Sequence, residues 1–144
     1  MRFTTRRLAA AAAFGILGAA TGVALAQGAL PPVQSQHGID YLTGGVGQGE
    51  ALAIERAEPR WPLTMEFAQR SGHHDDFLAG VRIVVRDAKR HPVLDATSDG
   101  PFMLAKLEPG RYAVDATAND RTLHERVQVQ AHGAAKAVFV WPGA

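Results

Sequence analysis

Hydrophobic positions along this chain fall into three regimes. From Leu8 to Leu25 the residues are almost all Ala, Leu, Ile, Val, Phe and Gly, with no polar period. From Glu50 to Ala57 the sequence EALAIERA mixes apolar and charged residues of types that favour helix. From Leu63 onward the period is two. Leu63, Met65 and Phe67 alternate with Thr64, Glu66 and Ala68, and Val81, Ile83 and Val85 alternate with Arg82, Val84 and Arg86. Such alternation gives each strand one buried and one wetter face.

The helix over Glu50–Ala57 carries an acid near its positive end and is stopped by Pro59. About two turns are too few to stand alone, so it must pack on something. Beyond it, strands follow one another with only turns between. Asp87–Pro92 is a turn from which Val93–Thr97 returns, and Ser98-Asp99-Gly100-Pro101 is turn punctuation before the apolar run Phe102–Leu107. Glu108-Pro109-Gly110 suits a type II turn. Tyr112, Val114 and Ala116 then alternate inward, and Asn119-Asp120 makes a hairpin tip. Leu123–Val129 follows, with Val127 and Val129 on the core side. Parity directs Glu125 inward too, so a bulge, a strand end or a late strand start is expected there. Ala137–Trp141 closes the pattern, apolar on both faces. Seven strands without helices between them predict an antiparallel sandwich rather than a parallel nucleotide-binding sheet.

The first regime adds a compartment. Arg2, Arg6 and Arg7 precede the apolar run, and Ala24-Leu25-Ala26 ends it with small residues at cleavage spacing, the pattern of a secretory signal peptide. Cleavage after Ala26 places the protein in the periplasm or outside the cell with no stable membrane anchor. The chain then divides into a signal peptide over 1–26, a flexible leader over 27–40, a Gly-rich turn and short helix over 41–60, and a β-sandwich over 61–144. The whole chain has 15 basic and 14 acidic residues. Without the three leading arginines the balance turns to about −2. That removes the basic excess on which a nucleic-acid reading would rest. There is no Cys, which excludes disulfides, thiolate metal sites and Cys nucleophiles.

The segment Leu107–Ala116, LEPGRYAVDA, resembles the Leu-x-Pro-Gly-x-Tyr-x-Val-x-Ala signature of carboxypeptidase regulatory-like domains. Gly80–Leu107 resembles the strands that precede that signature, and the likeness spans about Leu63 to Trp141. The resemblance implies a seven-stranded antiparallel Greek-key sandwich of transthyretin-like architecture, and the short helix read from its own residues is expected to pack on it. It implies no catalytic residue. Tyr41-Leu-Thr-Gly-Gly-Val-Gly47 is similar to a Tyr-x-x-Gly-Gly-x-Gly segment found before such domains in small exported bacterial proteins.

Candidate chemistry is sparse. The glycines of YLTGGVGQGE (Tyr41–Glu50) suggest a phosphate loop, but no Lys-Ser/Thr follows Gly49 and Glu50 would repel phosphate. They read instead as a turn that folds the helix back over the sandwich, with Tyr41 and Leu42 as docking groups. The stretch Ser71-Gly-His-His-Asp-Asp76 offers His73, His74, Asp75 and Asp76 on an expected loop, a donor set suited to zinc, copper or nickel, with His37 or His124 as further ligands. The alternative is a hydrophilic connection. Ser71, Ser98, the histidines and the aspartates permit a hydrolytic triad by composition alone, without a G-x-S-x-G elbow. The hydrolase of 5-hydroxyisourate shares the transthyretin-like fold but ends in Tyr-Arg-Gly-Ser, where this chain ends in Trp141-Pro-Gly-Ala144. Trp61 and Trp141 are read as core-edge aromatics rather than sugar platforms, and Arg82, Arg86, Arg111 and Arg126 as solvated sheet faces.

The resulting expectation is an exported, non-enzymatic binding or structural module without a cofactor, meeting a protein or glycan partner in the cell envelope. A metal-binding protein using the His73–Asp76 loop is the alternative, and a small hydrolase the third reading.

Overall fold

The computed structural model describes residues 28–143. The signal peptide expected over 1–26 lies outside the described residues. Strands β1 (Gln34–Gln36) and β2 (Ile39–Gly44) form a hairpin that leads into helix α1 (Gln48–Ala57) and a 3-10 turn, Glu58–Arg60. Then come β3 (Leu63–Ser71), β4 (His74–Phe77), β5 (Arg82–Arg86), β6 (Pro92–Thr97) and β7 (Phe102–Ala105). The chain closes with β8 (Gly110–Ala118), β9 (Arg121–Val129) and β10 (Ala135–Trp141). One sheet runs β1-β2-β7-β3-β10, with β4 paired to β3. The other runs β6-β5-β8-β9.

The two sheets share one core. Leu63, Met65 and Phe67 of β3, Met103 and Ala105 of β7, and Phe139 and Trp141 of β10 face Ile83, Val85, Leu94, Val114, Ala116 and Val129 of the other sheet. Phe67, Phe139 and Trp141 form an aromatic cluster with ring centroids 5.9–6.4 Å apart. Side chains tie the open flanks together. Trp141 Nε1 donates to the Arg121 carbonyl across the β10–β9 side, at 3.0 Å. On the opposite side the Gln36 amide acts as a short strand against β6. It donates to the Asp95 carbonyl at 2.9 Å and accepts from the Asp95 N–H at 2.5 Å.

A second core explains the helix. Ile54 and Ala57 of α1 pack with Trp61, Leu42, Phe102 and Leu104 on the outer face of the first sheet. β7 is therefore buried on both faces, which is why Phe102-Met-Leu-Ala105 shows no alternation. The helix is amphipathic and docked, as its shortness required.

All seven expected strands are present, but the described residues hold ten. The leader expected over 27–40 is in part sheet, since β1 and β2 begin within it. Two features hid them from sequence. β2 has an apolar residue on each face, Tyr41 in the inner core and Leu42 in the outer one, so no period-two pattern shows. The two-residue turn between them is His37-Gly38, both at positive φ (51° and 77°). That is the backbone of a hairpin turn in which Asn or Asp is the usual first residue.

The expected Ser71–Asp76 loop is likewise a hairpin. Ser71 pairs with His74 around Gly72-His73, and Arg70, Gln69 and Ala68 pair with Asp75, Asp76 and Phe77. Every residue of β4 is exposed and two are Asp, which is depleted in strands, so its polarity mimics a loop.

Pairing is also not wholly antiparallel. β10 runs parallel to β3, from Ala135↔Leu63 to Trp141↔Gln69. The chain crosses between sheets from β9 to β10, and alternation carries no information on strand direction. No bulge meets Glu125, because β8 and β9 keep one register from Gly110↔Val129 to Ala118↔Arg121. β9 is an edge strand, so Glu125 remains exposed although its parity is that of Val127 and Val129.

Candidate functional site: an arginine-lined depression on the second sheet

The outer face of the β6-β5-β8-β9 sheet carries a set of cross-strand ion pairs and hydrogen bonds. Arg82 forks onto Asp95, Nε to Oδ1 at 3.2 Å and Nη2 to Oδ2 at 2.9 Å. Asp115 is held from both sides, by Arg86 Nη1 at 2.6 Å and by His124 Nδ1 at 2.6 Å. Burial raises the Asp115 pKa, but the hydrogen bonds from His124 and Arg86 outweigh it, and the carboxyl titrates below its ordinary value. Asp95 is lowered as well, chiefly by its hydrogen bond from Arg82. These groups neutralise one another in a polar ladder, the behaviour expected of a solvated sheet face.

Arg90, Arg111 and Arg126 break that pattern. They line a depression of about 590 Å³ with Asp87, Tyr112 and Ala113. Among the described residues none of the three arginines forms an ion pair. The sheet places two of them. Ala113 on β8 pairs with Arg86 of β5 on one side and with Arg126 of β9 on the other. Arg111 lies two residues from Ala113 on the same face. The alanine leaves a low floor between long cationic walls.

The β5–β6 turn places the third. Asp87 Oδ1 accepts from the Lys89 and His91 N–H groups, both at 2.9 Å. The Arg90 N–H donates to the Asp87 carbonyl at 2.9 Å, and the Asp87 N–H to the His91 carbonyl at 3.0 Å. This self-closed turn holds Arg90 at φ 66°, an uncommon conformation for a residue with a β-carbon. Tyr112 donates its hydroxyl to the Glu108 carbonyl at 2.6 Å. Burial, with help from Glu108 and Asp87, pushes its pKa up, so the phenol stays neutral. The residues around the depression include no Ser, Thr, Cys or His. The arrangement offers guanidinium forks to a ligand.

The sequence candidates are dispersed. The glycine run forms the end of β2 and the entry to α1. The Gly45 N–H donates to Glu50 Oε1 at 2.7 Å, so the helix's own carboxylate takes the donor a phosphate would use. His74 and Asp76 lie on one face of β4, with Nε2 and Oδ1 3.2 Å apart. Asp75 pairs instead with Arg70 at 3.4 Å, and His73 sits in the turn. His124 is engaged with Asp115 on the other sheet, and His37 is in the β1–β2 turn. No group of three or more candidate metal ligands converges among the described residues.

The remaining candidates are structural in their contacts. Ser98 is buried, and its Oγ accepts from the Val81 N–H at 3.0 Å. Trp61 lies in the outer core beneath Lys106, whose Nζ is 4.9 Å from the ring centroid. Trp141 lies in the inner core. Neither ring is a surface platform.

Arg90 is the residue the sequence reading missed. Arg111 and Arg126 are in the alternating pattern, but Arg90 is in the Asp87-Ala-Lys-Arg-His turn, where its direction depends on backbone conformation. No helix of the described residues is long and apolar enough to cross a membrane. The chain matches no protein-family model and no curated protein, so its chemistry is argued from its own residues.

Proposed function

We propose that this chain is an exported, non-enzymatic binding module of the bacterial cell envelope. The signal-peptide pattern of residues 1–26 supports export, and the LEPGRYAVDA segment supports a carboxypeptidase regulatory-like sandwich. On that reading the seven strands from Leu63 onward are the Greek-key unit. The β1–β2 hairpin, α1 and β4 are additions to it.

One observation carries the functional reading. A depression of about 590 Å³ is walled by three arginines that form no ion pair among the described residues, and its lining has no Ser, Thr, His or Cys. Unpaired convergent cations suit recognition of a partner more than chemistry on a substrate. A thermal-shift screen of the purified protein tests this, with neutral sugars, anionic sugars, peptides and small acids, run beside a hydrolase panel. Stabilisation by one ligand class without turnover is expected. Turnover abolished by a single polar substitution would overturn the reading.

A further inference from the structure

We infer that Arg90, Arg111 and Arg126 form a receptor for an oxyanion group, a carboxylate, sulfate or phosphate, on the module's ligand. The inference rests on the binding-module reading and names the ligand chemistry.

Four observations converge on it. First, the same sheet face carries four arginines and the β5–β6 turn a fifth, and the structure sorts them. Arg82 and Arg86 are spent on Asp95 and Asp115, while Arg90, Arg111 and Arg126 are left together. Like charges gathered without counter-ions repel one another, and an anion between them relieves that repulsion. Second, the one carboxylate in the depression is committed elsewhere. Asp87 Oδ1 already accepts two backbone N–H groups of its own turn, and Oδ2 faces His91 at 3.7 Å. It shapes the turn rather than neutralising the arginines.

Third, the floor is Ala113, flanked in register by Arg86 and Arg126. A longer residue there would fill the space the guanidiniums surround. Fourth, Arg90 is held at positive φ by a turn closed with hydrogen bonds at both ends, which fixes where its side chain starts. A rigid turn lowers the ordering cost of a third charged contact.

Guanidinium groups recognise oxyanions through parallel N–H donors, and their planarity matches carboxylate and phosphate edges. The depression is wider than one such group. It suits an oxyanion attached to a larger molecule, with Gln128 on the rim as a neutral hydrogen-bonding neighbour. Because the arginines are exposed, affinity is expected to be modest and to fall with salt.

The test is isothermal titration of the purified protein with inorganic phosphate, sulfate and citrate, each against sodium chloride at matched ionic strength. The carboxylate, sulfate and phosphate arms distinguish the sources of the group. Saturable binding of at least one anion is expected. It should weaken about tenfold or more in Arg111→Gln and in Arg126→Gln, while Arg82→Gln changes it less than about twofold. Circular dichroism and melting of each variant establish that it is folded. All three positions are exposed, so folding should be retained.

No saturable binding of any of the three anions overturns the inference, and so does binding that is equally tight in the Arg111 and Arg126 variants. If the anions fail while the thermal-shift screen finds a neutral ligand, the arginine receptor falls and the binding module stands. If both fail, both readings fall.

Discussion

Replacing Gly45 by alanine should cost far more than replacing Gly47, although the two are near neighbours with the same sign of φ. Gly45 sits at φ 99° and Gly47 at φ 86°, so a β-carbon is strained at either, by about 1–3 kcal/mol. The surroundings differ. A β-carbon on Gly47 meets nothing within 4 Å. On Gly45 it would lie 2.5 Å from Phe102 Cδ2 and 3.1 Å from Cε2. Phe102 cannot swing away freely, because it is 1% exposed, packs in the outer core and lies 5.8 Å from the Phe77 ring. Forcing that ring to move adds an overpacking cost of about 1–3 kcal/mol. Gly45→Ala should therefore be about 2–6 kcal/mol less stable than wild type, and Gly47→Ala only about 1–3. Urea denaturation followed by tryptophan fluorescence reads the difference, since Trp61 shares a core with Phe102. In melting temperature the gap is about 4 °C or more. Equal destabilisation of the two variants would refute the tight seat of the glycine loop on Phe102.

Ile54→Ala should cost about 2–5 kcal/mol, because Ile54 is fully buried and anchors α1 on the first sheet; urea titration reads it, and a loss under 1 kcal/mol would mean that the helix is an appendage. Asp115→Asn should destabilise at neutral pH, with the gap from wild type closing on acidification. The folded carboxyl titrates below its unfolded value of about 3.9, so its stabilisation is present above that pH and lost as pH falls through the folded value. Melting curves from pH 7 to pH 2.5 check this, and a gap independent of pH would refute the assigned role of Arg86 and His124. Gln36→Ala should leave the β6 edge open at Asp95, with a stability loss of about 1 kcal/mol and new concentration-dependent association by light scattering.

What sequence revealed follows from where the physics is local. Strands β3 and β5 through β10 all contribute to the inner core and carry period two or, in the doubly buried β7, a continuous apolar run, so they were legible from side chains alone. The β1–β2 hairpin was not, because β2 is sandwiched between two cores and its turn uses His37 where a sequence reader looks for Asn. β4 was hidden by exposure on both faces. The direction of β10 was invisible in principle, since alternation has no arrow. The metal-ligand reading of His73–Asp76 depended on a flexible loop, and strand pairing instead directs Asp75 to Arg70 and away from His74.

The candidate site shows the same limit. Arg111 and Arg126 were visible as alternating outward positions, indistinguishable from Arg82 and Arg86. Only the register, which gives the latter two their Asp partners, separates solvated pairs from unpaired cations. Arg90 needed the turn conformation as well.

The most direct test of the central claim is a nuclear magnetic resonance titration of ¹⁵N-labelled protein with the anion that binds most tightly, at constant ionic strength. Saturating shifts are expected at Asp87–Arg90, Arg111–Ala113 and Arg126–Gln128 alone, with the Gly44–Glu50 loop and the β3–β4 hairpin unmoved. Shifts centred on the Gly45 loop, or spread over every surface cation without saturation, would contradict the claim.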